Sequence, residues 1–161
     1  MYKKIMISLC LFLSSLTLFA SRVELNGEAK TKVLKVLEIN ESLHKNFFNY
    51  NASLVEEDAK RLQKAIADIK DKEISKLLKK TTMELGKIKA GAGVEENNKA
   101  YHSASLGLIE LLEKYNPGKK YNSYSCPMVK KKWVQNSKKM LRVHNPYAPE
   151  MPHCGQRDTD Y

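Results

Sequence analysis

The sequence predicts an all-α domain: an up-down four-helix bundle with an irregular C-terminal segment packed on it. Three features lead there. From about Glu28 to Tyr115 the apolar residues recur at helical spacing, and no alternating strand pattern interrupts them. The breaks between the periodic stretches are short, which favours antiparallel neighbours. Beyond Pro117 the periodicity stops and prolines fall at 127, 146, 149 and 152.

Residues 1–20 read as a signal peptide. Lys3 and Lys4 form its charged start, Ile5 to Leu13 its apolar core, and Ala20 a small residue at the cleavage point. The apolar run is short for a membrane span. A periplasmic protein starting near Ser21 is expected, with no transmembrane segment in the mature chain and Cys10 outside the fold. Residues 21–118 are assigned to the bundle, and residues 119–161 to a basic Cys/Met-containing segment of the same domain.

The first helix carries Val33, Val36, Leu37, Leu43, Phe47 and Tyr50 and is interrupted at Asn51-Ala52. Ser53-Leu54-Val55-Glu56 has the form of a capping box opening the second. That helix has the clearest amphipathic stripe, Val55, Ala59, Leu62, Ile66 and Ile69, opposite a charged face. A third is expected from about Lys72 to Lys89, ended by Gly91-Ala92-Gly93. A fourth runs from about Val94 to Tyr115 with Tyr101, Ala104, Leu108, Leu111, Leu112 and Tyr115 inward, and Asn116-Pro117-Gly118 stops it. In the C-terminal segment a short helix is expected around Met128 to Met140, with Trp133 and Met140 packed inward and the rest irregular.

The formal net charge is +10. No acidic residue lies between Lys114 and Pro149, a stretch holding Lys119, Lys120, Lys130, Lys131, Lys132, Lys138, Lys139 and Arg142. Such a face attracts an acidic protein surface or anionic headgroups, or simply keeps the protein soluble. An exported protein rarely meets nucleic acid, so none is expected as a partner.

The chemistry-bearing residues cluster in the same segment: Cys126, Met128, Met151 and Cys154, with His153 or His144 nearby. Thiolate and thioether sulfurs are soft ligands that favour Cu(I). Pro127 biases Cys126 toward an extended backbone, so that Cys126 and Met128 project from a stiff segment. If the two sulfur-bearing stretches fold together, they supply a four-ligand site. Lysines around it repel a free cation but favour thiolate over thiol. The alternative is a Cys126–Cys154 disulfide, closing about 29 residues and worth roughly 3–4 kcal/mol in the chain-entropy picture. It would leave a stapled helical interaction module with a basic docking face and no metal. Trp133 reads as a core anchor, and Asn145-Pro146-Tyr147 as a turn with a buried ring. His44 and His102 read as surface or boundary residues. No phosphate loop, His-Glu-x-x-His, Gly-x-Ser-x-Gly or Cys-x-x-Cys is present, so no enzyme is expected.

These residues carry a resemblance. Cys126-Pro127-Met128, Trp133, Asn145-Pro146-Tyr147, Met151 and Cys154-Gly155 resemble the C-terminal pattern of the bacterial periplasmic "domain of unknown function 3347" family. Tyr50 to Ala59 and Lys99 to Leu112 are similar to its helical part, and the likeness spans residues 30 to 156. Where that family has glycine after Asn-Pro-Tyr, this chain has Ala148-Pro149. The family occurs alone or fused to heavy-metal efflux adaptors. The resemblance therefore implies handling of copper or a related metal and an efflux adaptor as partner. It makes the Cys/Met metal site the leading expectation, with the disulfide as its oxidised, metal-free form.

Overall fold

A computed structural model describes residues 21–161. The predicted signal peptide, with Cys10, lies outside the described residues. The order is β1 (Val23–Glu24), α1 (Gly27–Phe48), α2 (Ala52–Ala67), α3 (Lys72–Leu77), α4 (Lys79–Leu85), α5 (Val94–Lys114), β2 (Tyr115–Asn116), β3 (Tyr121–Cys126), β4 (Lys131–Asn136) and β5 (Gln156–Arg157). The protein is therefore mixed α and β, which corrects the all-α expectation. No helix among the described residues is long and apolar enough to cross a membrane.

Helix α2 starts two residues before the position expected from the capping box. The Asn51 side chain, not Ser53, accepts the Leu54 amide at 3.1 Å, a cap worth about 1 kcal/mol. Glu56 is consequently free of capping and accepts the Ala90 amide instead. The stripe Val55, Ala59, Leu62, Ile66 and Ile69 is buried throughout. Asp58 binds α1 to α2: its carboxylate accepts from Ser42 at 2.6 Å and Asn46 at 2.8 Å, and Arg61 neutralises it at 2.5 Å. The expected third helix is two, broken at Leu78 and ending at Leu85 rather than Lys89. Helix α5 closely matches its expected span, with all six predicted inward residues buried.

The larger departure follows Pro117. Residues 121–136 form an antiparallel hairpin, not an irregular stretch followed by a helix, with Tyr121 opposite Asn136 and Cys126 opposite Lys131. β5 adds to the other edge of β3, giving the order β4-β3-β5. β1 pairs in parallel with β2. Side chains help satisfy the outer edge of β4 where a further strand would otherwise bind. His102 accepts the Lys132 amide at 3.0 Å, Asn40 donates to the Val134 carbonyl at 3.4 Å, and Tyr147 donates to the Lys132 carbonyl at 3.1 Å.

The hairpin belongs to the same core as the helices. Trp133 is fully buried, close to the rings of Tyr124 and Tyr147. At the open end Glu41 of α1 accepts from the Tyr121 hydroxyl, from Asn136 at 2.7 Å and from Lys139 at 2.7 Å. Burial raises the Glu41 carboxyl, but these three donors outweigh it and hold the group below the usual carboxylate range.

Candidate functional site

Cys126 ends β3, and Pro127 opens the turn that follows. Lys130, at φ 53, completes the turn into β4. Cys126 is only 1% exposed. Burial pushes its thiol up, but the hydrogen bond from Cys154, those from the Val129 and Met128 amides, and one from the Asn145 side chain together leave it below the ordinary cysteine value. Cys154 is shifted the opposite way, raised chiefly by its hydrogen bond to Cys126 and then by burial. Of the two, Cys126 is the sulfur that loses its proton more readily.

The two sulfurs lie 2.7 Å apart. That is closer than a non-bonded sulfur pair ordinarily approaches and exceeds a disulfide bond by only about 0.7 Å, so the two cysteines are placed for oxidation to the disulfide. Asn145, fully buried, shapes the returning loop. Its amide donates to the Pro152 carbonyl at 2.8 Å, its Nδ2 to the Cys154 carbonyl at 2.9 Å, and its Oδ1 accepts the Tyr147 amide at 2.9 Å. Pro146 and Tyr147 are buried behind it. Gly155 then passes against the hairpin at φ +137, where an added Cβ would lie 2.6 Å from the Ser125 carbonyl and 3.0 Å from the Trp133 ring. Only glycine brings Cys154 this close to β3 without strain.

The structure therefore brings the predicted cysteines together and gives Trp133, Asn145, Pro146, Tyr147 and Gly155 concrete roles around them. It does not enclose the other predicted ligands. The Met128 and Met151 residues are 67% and 37% exposed. His153 is exposed, with Nδ1 on the Val143 carbonyl at 2.7 Å. Among the described residues no group of three or more His, Cys, Asp and Glu side chains converges to hold a metal ion. An open groove of about 480 Å³ reaches Cys126, with Pro127, Lys130 and Leu106 also in its walls.

Sequence reasoning missed His44. It is buried, not a boundary residue, and its Nε2 lies 3.0 Å from Nδ1 of His144. Nδ1 of His44 has no partner. Burial first, then the neighbouring His144, lowers its pKa to about 3. His144 stacks on Phe48 and is occupied with His44 rather than with the cysteines. A hint was available in position 44, one residue after Leu43 and three before Phe47 on the apolar side of α1.

The predicted basic face is also divided. Lys130, Lys131 and Lys132 lie at the closed end of the hairpin, while Lys119, Lys120 and residues 138–142 lie at its open end. Comparison with protein families, with curated proteins and with solved structures finds no match to this chain.

Proposed function

We propose that this chain is an exported binding protein that handles a soft, Cu(I)-like cation through the Cys126–Cys154 dithiol. The disulfide is its oxidised, metal-free form. The observation that carries this reading is the meeting of the two sulfurs at 2.7 Å, with the Cys126 thiol lowered from the ordinary cysteine value. A thiolate is the form that binds metal, and sulfur donors select soft cations. The resemblance of the C-terminal pattern to a family that occurs alone or fused to heavy-metal efflux adaptors suggests an acceptor for the cargo: such an adaptor, or another acidic protein surface.

The donor set fits with one condition. Metal–thiolate bonds near those of zinc, about 2.3 Å, separate two sulfurs by about 3.8 Å in a tetrahedral shell and about 4.6 Å in a linear one. From 2.7 Å the pair must open. Cys126 is anchored in the β3–β4 ladder, so the movement falls on Cys154, which sits half-buried in a loop. Met128 and Met151, already exposed, can contribute thioethers from the solvent side and give them up again. Such a site suits transfer better than permanent storage.

Competition between the reduced protein and a Cu(I) chelator tests the reading. One equivalent is expected to bind, with at least about a hundredfold loss on Cys126→Ser or Cys154→Ser and a smaller loss on Met151→Leu. No competition, or affinity unchanged in both serine variants, overturns it.

The close sulfur contact also favours a second reading, in which the pair is a permanent staple in a helical interaction module without metal. Protein isolated from the periplasm would then contain no free thiol, and its reduced form would ignore Cu(I).

A further inference from the structure

At the open end of the hairpin, residues 137–142 form a loop that is held in shape from below. The Met140 amide donates to the Asn136 carbonyl at 2.9 Å, and the Lys138 and Lys139 amides to Asn136 Oδ1 at 3.1 and 3.2 Å. Gln135 donates to the carbonyls of Met140 at 3.1 Å and Arg142 at 2.7 Å. Asn136 and Gln135 are both buried. Two buried polar residues thus bind five backbone groups of a six-residue loop. Yet the tip they define presents Leu141 at 88% exposure, more than any other large apolar residue among those described.

The loop and the strand end joined to it are basic. Lys138 and Arg142 are exposed on the loop, and Lys119 and Lys120 are exposed on the adjoining strand end, where the Ser137 amide donates to the Lys120 carbonyl at 2.8 Å. Lys139 is committed to Glu41 at 2.7 Å. The other acid acting on this end is Glu38. The balance stays positive, with two exposed cations on the leucine-bearing loop and two at the strand end joined to it.

A rigid loop that exposes one large aliphatic side chain gains nothing in water, and exposed cations on it and beside it repel cationic partners. We propose that the 137–142 loop docks on an anionic phospholipid surface, with Leu141 inserted among the acyl chains and Lys119, Lys120, Lys138 and Arg142 on headgroup phosphates. Both halves of the recognition are present: apolar burial and charge attraction. The loop is separated from Cys126 by the length of β3, about 17 Å at 3.4 Å per residue. The proposal is independent of any metal at the dithiol, and either can fail alone.

The test uses Leu141→Trp in the full chain. The native tryptophan, Trp133, is fully buried, so the new indole reports the loop tip alone. Vesicles of phosphatidylglycerol and phosphatidylcholine carrying brominated acyl chains are expected to quench it, and vesicles of phosphatidylcholine alone are not. Lys119→Glu, Lys138→Glu and Arg142→Glu, combined in the same background, should abolish the quenching at about fivefold or more per charge. In the otherwise native chain, Leu141→Asp should weaken vesicle binding about tenfold or more without changing the near-ultraviolet spectrum, since the side chain is exposed. Equal quenching by neutral vesicles overturns the proposal. So does quenching that survives the triple charge reversal, or an introduced indole left unquenched on anionic vesicles, which would point to an acidic protein partner instead.

Discussion

Gly155→Ala tests how the cysteine pair is assembled. The backbone there has φ +137, and the added methyl would lie 2.6 Å from the Ser125 carbonyl, 3.0 Å from Trp133 Cη2 and 3.3 Å from Val143 Cγ1. The first belongs to a strand paired on both sides and the second to a fully buried ring, so neither gives way cheaply. Forcing alanine into that conformation costs about 1–3 kcal/mol, and the backbone contact adds overpacking of about 1–3 kcal/mol. A loss of about 3–4 kcal/mol is expected in the reduced protein, read as a lower denaturation midpoint at unchanged slope. Because Gly155 adjoins Cys154, the sulfurs should also separate, and oxidation to the disulfide should slow at least about tenfold. Gly91→Ala is the control, since nothing lies within 4 Å of its added methyl, and it should stay within about 0.5 kcal/mol of wild type. A Gly155→Ala protein as stable and as readily oxidised as wild type would refute the claim that this close approach builds the site.

Three further outcomes are expected. The Cys126–Cys154 disulfide should stabilise the protein by about 3.6 kcal/mol over its reduced form, the chain-entropy value for a loop of about 29 residues; paired denaturation curves with and without reductant measure it. Asn145→Ala leaves the Cys154 carbonyl and the Tyr147 amide without their partner, so a loss of about 2–4 kcal/mol is expected, with the Cys126 thiol pKa rising as measured by alkylation rate against pH. His44 has its folded pKa lowered to about 3, so the neutral form is favoured by folding. Its stability contribution is complete above the unfolded value near 6.5 and is lost as pH falls toward 3. Between pH 8 and pH 5 that amounts to about 2 kcal/mol, and His44→Leu should remove that part of the slope in denaturation midpoints.

The helices were legible because their burial is one-sided: α2 and α5 carry apolar stripes at helical spacing, and those stripes are the buried faces. The hairpin was hidden because its burial is only partly apolar: Tyr121, Tyr124, Trp133 and Val134 are buried beside polar neighbours. Asn122, Ser123, Gln135 and Asn136 are all buried, so β3 and β4 show polar residues where a strand pattern would show apolar ones. Their buried polar groups are satisfied by residues distant in sequence, such as Thr159 for Asn122 and Ser123 and Glu41 for Asn136, and spacing alone does not reveal such partners. The hairpin turn added to the concealment, since its left-handed residue is Lys130, not glycine or asparagine. That Cys126 and Cys154 could meet was legible, because two cysteines in an exported chain invite pairing, but the sequence left the meeting conditional. That Met128 and Met151 remain exposed was not, because the local turns decide which way those side chains face.

The claim that Cys126 and Cys154 form a single soft-metal centre is tested most directly by X-ray absorption at the copper edge on the reduced protein loaded with one equivalent of Cu(I). The account predicts a shell of sulfur neighbours that disappears in the Cys126→Ser, Cys154→Ser double variant. A shell of nitrogen donors unchanged in that variant, or failure to retain stoichiometric copper at all, would contradict it.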